Sequence, residues 1–255
     1  MRRSAPAKLN LDLHVDPLGA DGFHPIRSHF VIVGLCDHVT IEPGSDGITF
    51  RTNAEDVAED NLCVRAAEAF DEAFGLPGAG VDIELEKRIP IGGGLGGGSS
   101  DAATTLLILA EMAGVERNRL MPIAAELGSD VPFFVTGHAS AICTGRGEIV
   151  EPTDPPAEPF AVLMMPGIHV ATPRVFQRFD DLSGEPPNDL QHAAFDLHPE
   201  LADLHEVLER GFDRPFQLTG SGSTLFTLCD DADLATQIAE AAPCDALAVD
   251  VCPGI

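Results

Sequence analysis

The chain has 255 residues, 44% of them hydrophobic, which is long enough for two domains, can bury a sizeable core, and excludes a disordered chain. Lys+Arg 15 against Asp+Glu 41 leave a formal net charge of −26, so the average surface repels nucleic acid and anionic membranes, and an anionic ligand needs a local device working against that field. Six cysteines, at 36, 63, 143, 229, 244 and 252, form no C-x-x-C pair and no metal-ligand cluster with histidine, the pattern of reduced and mostly buried thiols.

Met1-Arg2-Arg3-Ser4 carries charge like a signal peptide, but Lys8, Asn10, Asp12 and His14 interrupt the apolar residues behind it. No apolar run approaches the roughly 18 residues of a membrane helix, so a soluble, cytoplasmic protein is expected. Residues 7–15 alternate strictly, with Leu9, Leu11, Leu13 and Val15 on one face and Lys8, Asn10, Asp12 and His14 on the other, which predicts a half-buried strand. Asp21-Gly22 makes a turn, and 30–33 and 39–41 read as two strands of a meander broken at Pro43-Gly44.

Glu59-Asp60-Asn61 introduces a helix over 62–74, ended by Gly75 and Pro77, and Val81, Ile83 and Leu85 alternate as a strand. That strand runs through Lys87 and Pro90 into I-G-G-G-L-G-G-G-S-S-D-A-A at 91–103, and a helix is predicted over 99–113, closing at Gly114. A helix at about 118–127 stops at Gly128, ahead of Ser129-Asp130-Val131-Pro132. Prolines 152, 155, 156 and 159 mark a linker, which divides the chain into 1–154 and 155–255. Beyond it come a strand at 160–165, a helix after Thr172-Pro173, a helix near 199–210, a strand, the loop T-G-S-G-S at 219–223, an apolar segment at 225–228 and a helix at 233–242.

Six glycines fill seven positions, 92–98, with only Leu95 between them. A loop stripped of side chains lets successive backbone N–H groups face one anion, and it opens a helix whose unpaired N–H groups and positive dipole end favour the same ligand. The blander alternative is a flexible turn capped by Ser99 or Ser100. No Gly-Lys-Ser/Thr follows, which excludes a Walker loop, and Gly92, Gly94 and Gly97 satisfy G-x-G-x-x-G without the acidic residue that closes the next strand of a dinucleotide fold. Lys8 on its strand suits either a pocket or a solvated edge, and Asp130 either a base or, taken alone, a helix N-cap. Phe23 and His24 suit either a flat heterocycle or ordinary packing.

Together, the segments A-P-A-K-L-N-L at 5–11, D-G-F-H at 21–24, E-D-N-L at 59–62, the glycine loop at 90–103, G-S-D-V-P-F-F at 128–134, T-P-R-V-F at 172–176, N-D-L at 188–190 and T-G-S-G-S at 219–223 resemble the GHMP kinase superfamily. The tripled glycines and the D-G-F-H turn resemble the branch that acts on a cytidine-diphosphate-linked methylerythritol. The resemblance implies an α+β, two-domain fold, an N-terminal α/β domain with a ferredoxin-like C-terminal domain, and both substrates between them. It implies ATP-dependent phosphorylation of the methylerythritol 2-hydroxyl in isoprenoid precursor synthesis. Another GHMP kinase acting on a different alcohol, or an inactive nucleotide-binding relative, stays open as an alternative.

By the same resemblance, Asp130 is the general base and Lys8 its partner. Asn10 contacts the methylerythritol end, Thr172 falls among the substrate-binding residues, His24 hydrogen-bonds cytosine, and Phe23 and Phe176 sandwich it. Asn61, Gly92, Gly93, Gly94, Leu95, Gly96, Gly97, Gly98, Ser99 and Ser100 fall where the family holds ATP. Mg2+ bridges the ATP phosphates, and no side-chain ligand is assigned to it. The partners implied are small molecules, with no nucleic acid and no membrane, and the protein is a monomer or homodimer. Phe23 replaces a tyrosine common in the family, and the region 177–198 is short.

Overall fold

The first strand of the computed structural model, which describes residues 1–20, 22–57, 61–182 and 184–253, is buried on both faces where it matters for function. In β1 (Arg2–Asn10), Ala7 and Leu9 enter an apolar core, while Lys8 and Asn10, each 4% exposed, face an interior cavity. The predicted strand over 7–15 is split, because β1 ends at Asn10 and β2 is only His14–Val15. Between them the backbone changes partners: the Leu13 N–H donates to Pro187 O at 2.8 Å, and the Leu13 carbonyl accepts from the Asp189 N–H at 2.9 Å.

The predicted meander is instead one long bent strand, β3 (Ile26–Gly44), antiparallel to β1 along its length. Pro6 pairs with Cys36 and Ala7 with Val33, so Gly34 and Leu35 are absorbed as a bulge that bends the strand without ending it. Pro43-Gly44 closes the strand. An unanticipated β4 (Gly47–Thr52) follows, then α1 (Leu62–Phe74) and β5 (Gly80–Glu86), which pairs parallel with β4 and antiparallel with the far half of β3.

The glycine loop leads into α2 (Gly97–Ala113), which starts two residues ahead of expectation because Gly96, at φ 70°, turns the chain straight into the helix. The helix predicted over 118–127 is divided into a 3-10 turn (Arg117–Leu120) and α3 (Met121–Leu127), with Pro122 in the first turn of α3, where its missing N–H is tolerated. Then come α4 (Val131–Thr136), β6 (Ser140–Gly145) on the near half of β3, and β7 (Ile149–Pro152).

After the proline-rich stretch, β8 (Phe160–Met164), α5 (Thr172–Phe179), α6 (Gln191–Leu197), α7 (Pro199–Phe212), β9 (Gln217–Leu218), β10 (Leu225–Cys229), α8 (Ala232–Glu240) and β11 (Ala246–Asp250) complete the chain. The second sheet is antiparallel in the order β11-β8-β10-β9, the ferredoxin-like arrangement with several helices in the first crossover. Helix α6 occupies part of the short region 177–198.

Alternation then explains the stacking. Ala161 and Leu163 of β8 meet Leu9, Val31 and Val33 between the sheets, while Val162 and Met164 pack with α5–α8 residues on the outer side. Phe30, Ile32, Val39 and Ile41 of β3 face the other way, into the core made with α1, α2 and α4. The result is an α+β molecule of helices, sheet, sheet and helices.

Candidate active site

A cavity of about 990 Å³ is bordered by the end of β1, the glycine loop, the start of α4 and the start of α5. In the glycine loop, Gly92, Gly94 and Gly96 have φ of 74°, 76° and 70°, a region that side chains with a Cβ rarely adopt. A Cβ on Gly96 would stand 2.9 Å from Lys8 Cγ, and one on Gly94 would stand 2.3 Å from the Thr219 carbonyl oxygen. The two glycine-rich loops, 92–98 and 219–223, therefore interlock through backbone.

Ser99 and Ser100 do not cap α2. Gly96 is the N-cap residue and no side chain bonds there, so the first-turn N–H groups of Gly97, Gly98 and Ser99 stay without helical partners. Ser99 borders the cavity, whereas Ser100 is fully buried with its Oγ unpartnered, because neighbours on a helix point about 100° apart.

Lys8 is not on a solvated edge. Its N–H donates to Leu95 O at 2.9 Å, its Nζ donates to Asn10 Oδ1 at 2.6 Å, and that Nζ lies 3.5 Å from Asp130 Oδ2 and 4.9 Å from the Phe30 ring centroid. Asn10 is fixed in turn: its Nδ2 donates to Ser28 Oγ at 2.8 Å and its N–H to Thr219 Oγ1 at 3.0 Å. Asp130 occupies the N-cap position of α4, yet its backbone is helical and its side chain makes no capping bond, so the capping alternative fails. Its carboxylate turns to Lys8 and keeps 26% exposure toward the cavity.

The other end of the cavity holds the predicted aromatic group. His24 Nδ1 bonds Asp16 O at 2.8 Å; a carbonyl only accepts, so Nδ1 carries the proton, and Nε2 lies 3.4 Å from Asp180 Oδ1. The Phe176 ring lies against the His24 ring, centroids 5.5 Å apart and 31° between planes. Phe23, also at the cavity, is half exposed with the Arg146 guanidinium over its ring at 4.9 Å. Thr172 Oγ1 and Ser221 Oγ lie 2.7 Å apart, tying α5 to the second loop. Asn61 borders the cavity while its Oδ1 accepts from the N–H groups of Cys63 and Val64 as the cap of α1. Asp21 and Glu59-Asp60, the remaining parts of two motifs, lie outside the described residues.

Two cationic residues at the cavity were missed. Arg146, in the β6–β7 turn, borders the cavity, and a Cβ on its neighbour Gly147 would be 3.5 Å from Asp130 Oδ1. Lys87 donates to Asp37 Oδ2 at 2.5 Å and to Asp101 Oδ2 at 2.9 Å, with the three side chains at most 8% exposed. Lys87 had a signal, since it is one of two lysines and leads directly into the glycine loop. All six cysteines are free, and burial foremost pushes the Cys63 and Cys143 thiols up to about 12.

Family models for the GHMP kinases N terminal domain and the GHMP kinases C terminal domain match residues 61–138 and 166–248. A Thermus thermophilus protein named 4-diphosphocytidyl-2-C-methyl-D-erythritol kinase is 40% identical over 260 residues, covering 94% of this chain and 92% of that one. One of the same name from Neisseria meningitidis is 38% identical over 253 residues, covering 92% and 88%. A crystal structure of 4-(cytidine 5'-diphospho)-2C-methyl-D-erythritol kinase superposes over 100% of both chains with a TM-score of 0.85 at 38% identity. No helix among the described residues is long and apolar enough to cross a membrane.

Proposed function

The chain belongs to the 4-diphosphocytidyl-2-C-methyl-D-erythritol kinase family of GHMP kinases, and we propose that it transfers the terminal phosphoryl group of ATP to the methylerythritol 2-hydroxyl of that substrate. It is a phosphotransferase of isoprenoid precursor synthesis. One observation carries the assignment of roles: Lys8 holds the glycine loop through its backbone and reaches Asp130 through its ammonium, so a single residue joins the phosphate cradle to the proton acceptor.

The triphosphate lies over the N–H groups that open α2, where the helix dipole adds favourable potential. The acceptor hydroxyl oxygen forms a bond to the γ-phosphorus, its proton passes to the Asp130 carboxylate, and the bond from phosphorus to the bridging oxygen of ADP breaks. Lys8 neutralises charge between the two, and Asn10, bonded to Lys8 and Ser28, keeps the ammonium in place. At the far end, the Nδ1–H bond to Asp16 fixes the His24 ring so that Nε2 and Asp180 present polar atoms to a cytosine edge, with Phe176 alongside. Arg146 stands between that end and Asp130, where the substrate diphosphate would cross. Thr172 closes the acceptor end against Ser221.

Mg2+ is proposed to accompany the ATP; among the described residues no group of three or more His, Cys, Asp or Glu is placed to hold a metal. When bound, that ion supplies charge neutralisation of the transferring group. An ADP-release assay across a panel of alcohols tests the assignment. The cytidyl substrate should be turned over fastest, and faster turnover of homoserine or mevalonate would refute it.

A further inference from the structure

Beneath the first turn of α2, one ammonium is shared by two buried carboxylates that the mechanism does not use. Asp37 is fully committed. Its Oδ2 takes Lys87, and its Oδ1 accepts from the backbone N–H groups of Arg88 at 2.5 Å and Ile89 at 2.8 Å. Asp101 is not: its Oδ2 takes Lys87, while its Oδ1 is buried without any hydrogen-bond partner. The titratable or charged groups around Asp101 are Lys87 from the exit of β5, Asp37 from β3 and the Cys63 thiol from α1, so the cluster holds one cation against two acids. A buried carboxylate with an unbonded oxygen and an uncompensated charge is disfavoured against its neutral form.

The cluster touches the cradle. A Cβ on Gly97 would stand 3.1 Å from Lys87 Nζ, and both Lys87 and Asp101 border the cavity. With both aspartates ionised, a nucleotide on this loop meets a net negative charge directly below its phosphates. With Asp101 neutral, Lys87 and Asp37 cancel, and the loop N–H groups act unopposed.

We propose that Asp101 carries a proton while the glycine loop holds ATP, so that nucleotide binding takes up a proton at this position. Asp101 is thereby a positioning residue that sets the charge under the cradle. The inference rests on the reading of the loop as the ATP site. Burial foremost, with Asp37 adding and Lys87 opposing, pushes the Asp101 carboxyl up to about 7, and a bound anion pushes in the same direction. Uptake is therefore largest above neutrality, where the free protein has lost the proton.

Calorimetry of the whole protein, titrated with Mg2+ and a non-hydrolysable ATP analogue near pH 8 in two buffers of different ionisation enthalpy, reads the proton directly. Wild type should take up a proton, approaching one per site, and its affinity should fall by up to about tenfold per pH unit above neutrality. Asp101→Asn should bind with almost no uptake and a flat profile. His169, which a Cβ on Gly92 would approach to 2.7 Å, lies at the other end of the loop and is intact in that variant. Binding by wild type without uptake, or equal uptake in the variant, overturns the inference and leaves the ATP site standing. No binding at any pH brings down both. Should the variant not fold, the wild-type measurement in two buffers decides alone.

Discussion

Lys8 and Lys87, the only lysines in the chain, are both buried beside aspartates, one against Gly96 and the other against Gly97, yet their surroundings give opposite chemistry. Lys8 faces a single carboxylate 3.5 Å away that keeps 26% exposure and can meet a substrate hydroxyl. Lys87 is closed between two carboxylates at 2.5 and 2.9 Å that are 0% and 4% exposed. The same two residue types suit a proton acceptor where the carboxylate is open, the role proposed for Asp130, and a sealed counter-charge where it is not.

Removing the sealed cation should have the largest effect. Lys87→Met leaves two buried carboxylates unpaired and should cost about 3–5 kcal/mol of stability. Urea unfolding measures it, and a wild-type midpoint would break the contrast. At the open pair the loss should appear in catalysis. Asp130→Asn should lower kcat by about a hundredfold or more while nucleotide affinity in calorimetry stays near wild type. An equal loss of kcat in Asp101→Asn would erase the distinction between base and counter-charge.

His24→Ala sharpens the contrast between the two ends of the cavity. It should raise KM for the cytidyl substrate by about tenfold, the worth of one lost hydrogen bond, and leave KM for ATP unchanged. Equal shifts in both would remove His24 from base recognition.

A further prediction concerns pH and folding. Asp101 titrates near 7 in the native state against an ordinary 3.8, so between those values the native state binds more protons than the unfolded chain. Stability from this group is therefore present at low pH and lost as pH rises through that window. Asp101→Asn escapes the loss, so its Tm relative to wild type should climb between pH 4 and pH 8, and a constant difference would contradict the proton on Asp101.

Much of the fold was legible where the signals are local. Asn61, Gly75 and the apolar spacing between them bound α1 over the range expected, because a cap bonds only its own first turn. The course of the glycine loop into α2 was legible for a similar reason, since six glycines in seven positions are a local signal. Strand β3 was not. Whether Gly34 and Leu35 make a turn or a bulge depends on β1 holding both sides of them in one ladder. Strand β4 was overlooked although Ile48, Phe50 and Thr52 alternate. Phe23 lay in a recognised motif, but its partner Arg146 comes from a distant hairpin turn.

The sequence by itself determined the family and reaction class, and it pointed to the glycine loop and to Lys8, Asn10, His24 and Asp130 as the candidate site, because those residues stand in contiguous motifs. Only the tertiary structure decided which lysine meets an open carboxylate and which a sealed pair. Asp37 lies 50 positions before Lys87 and Asp101 lies 14 after it, and they meet because β3, β5 and α2 converge below the glycine loop. Solvent access and charge count set the protonation of a carboxylate, and both are properties of packing that no spacing in the chain contains.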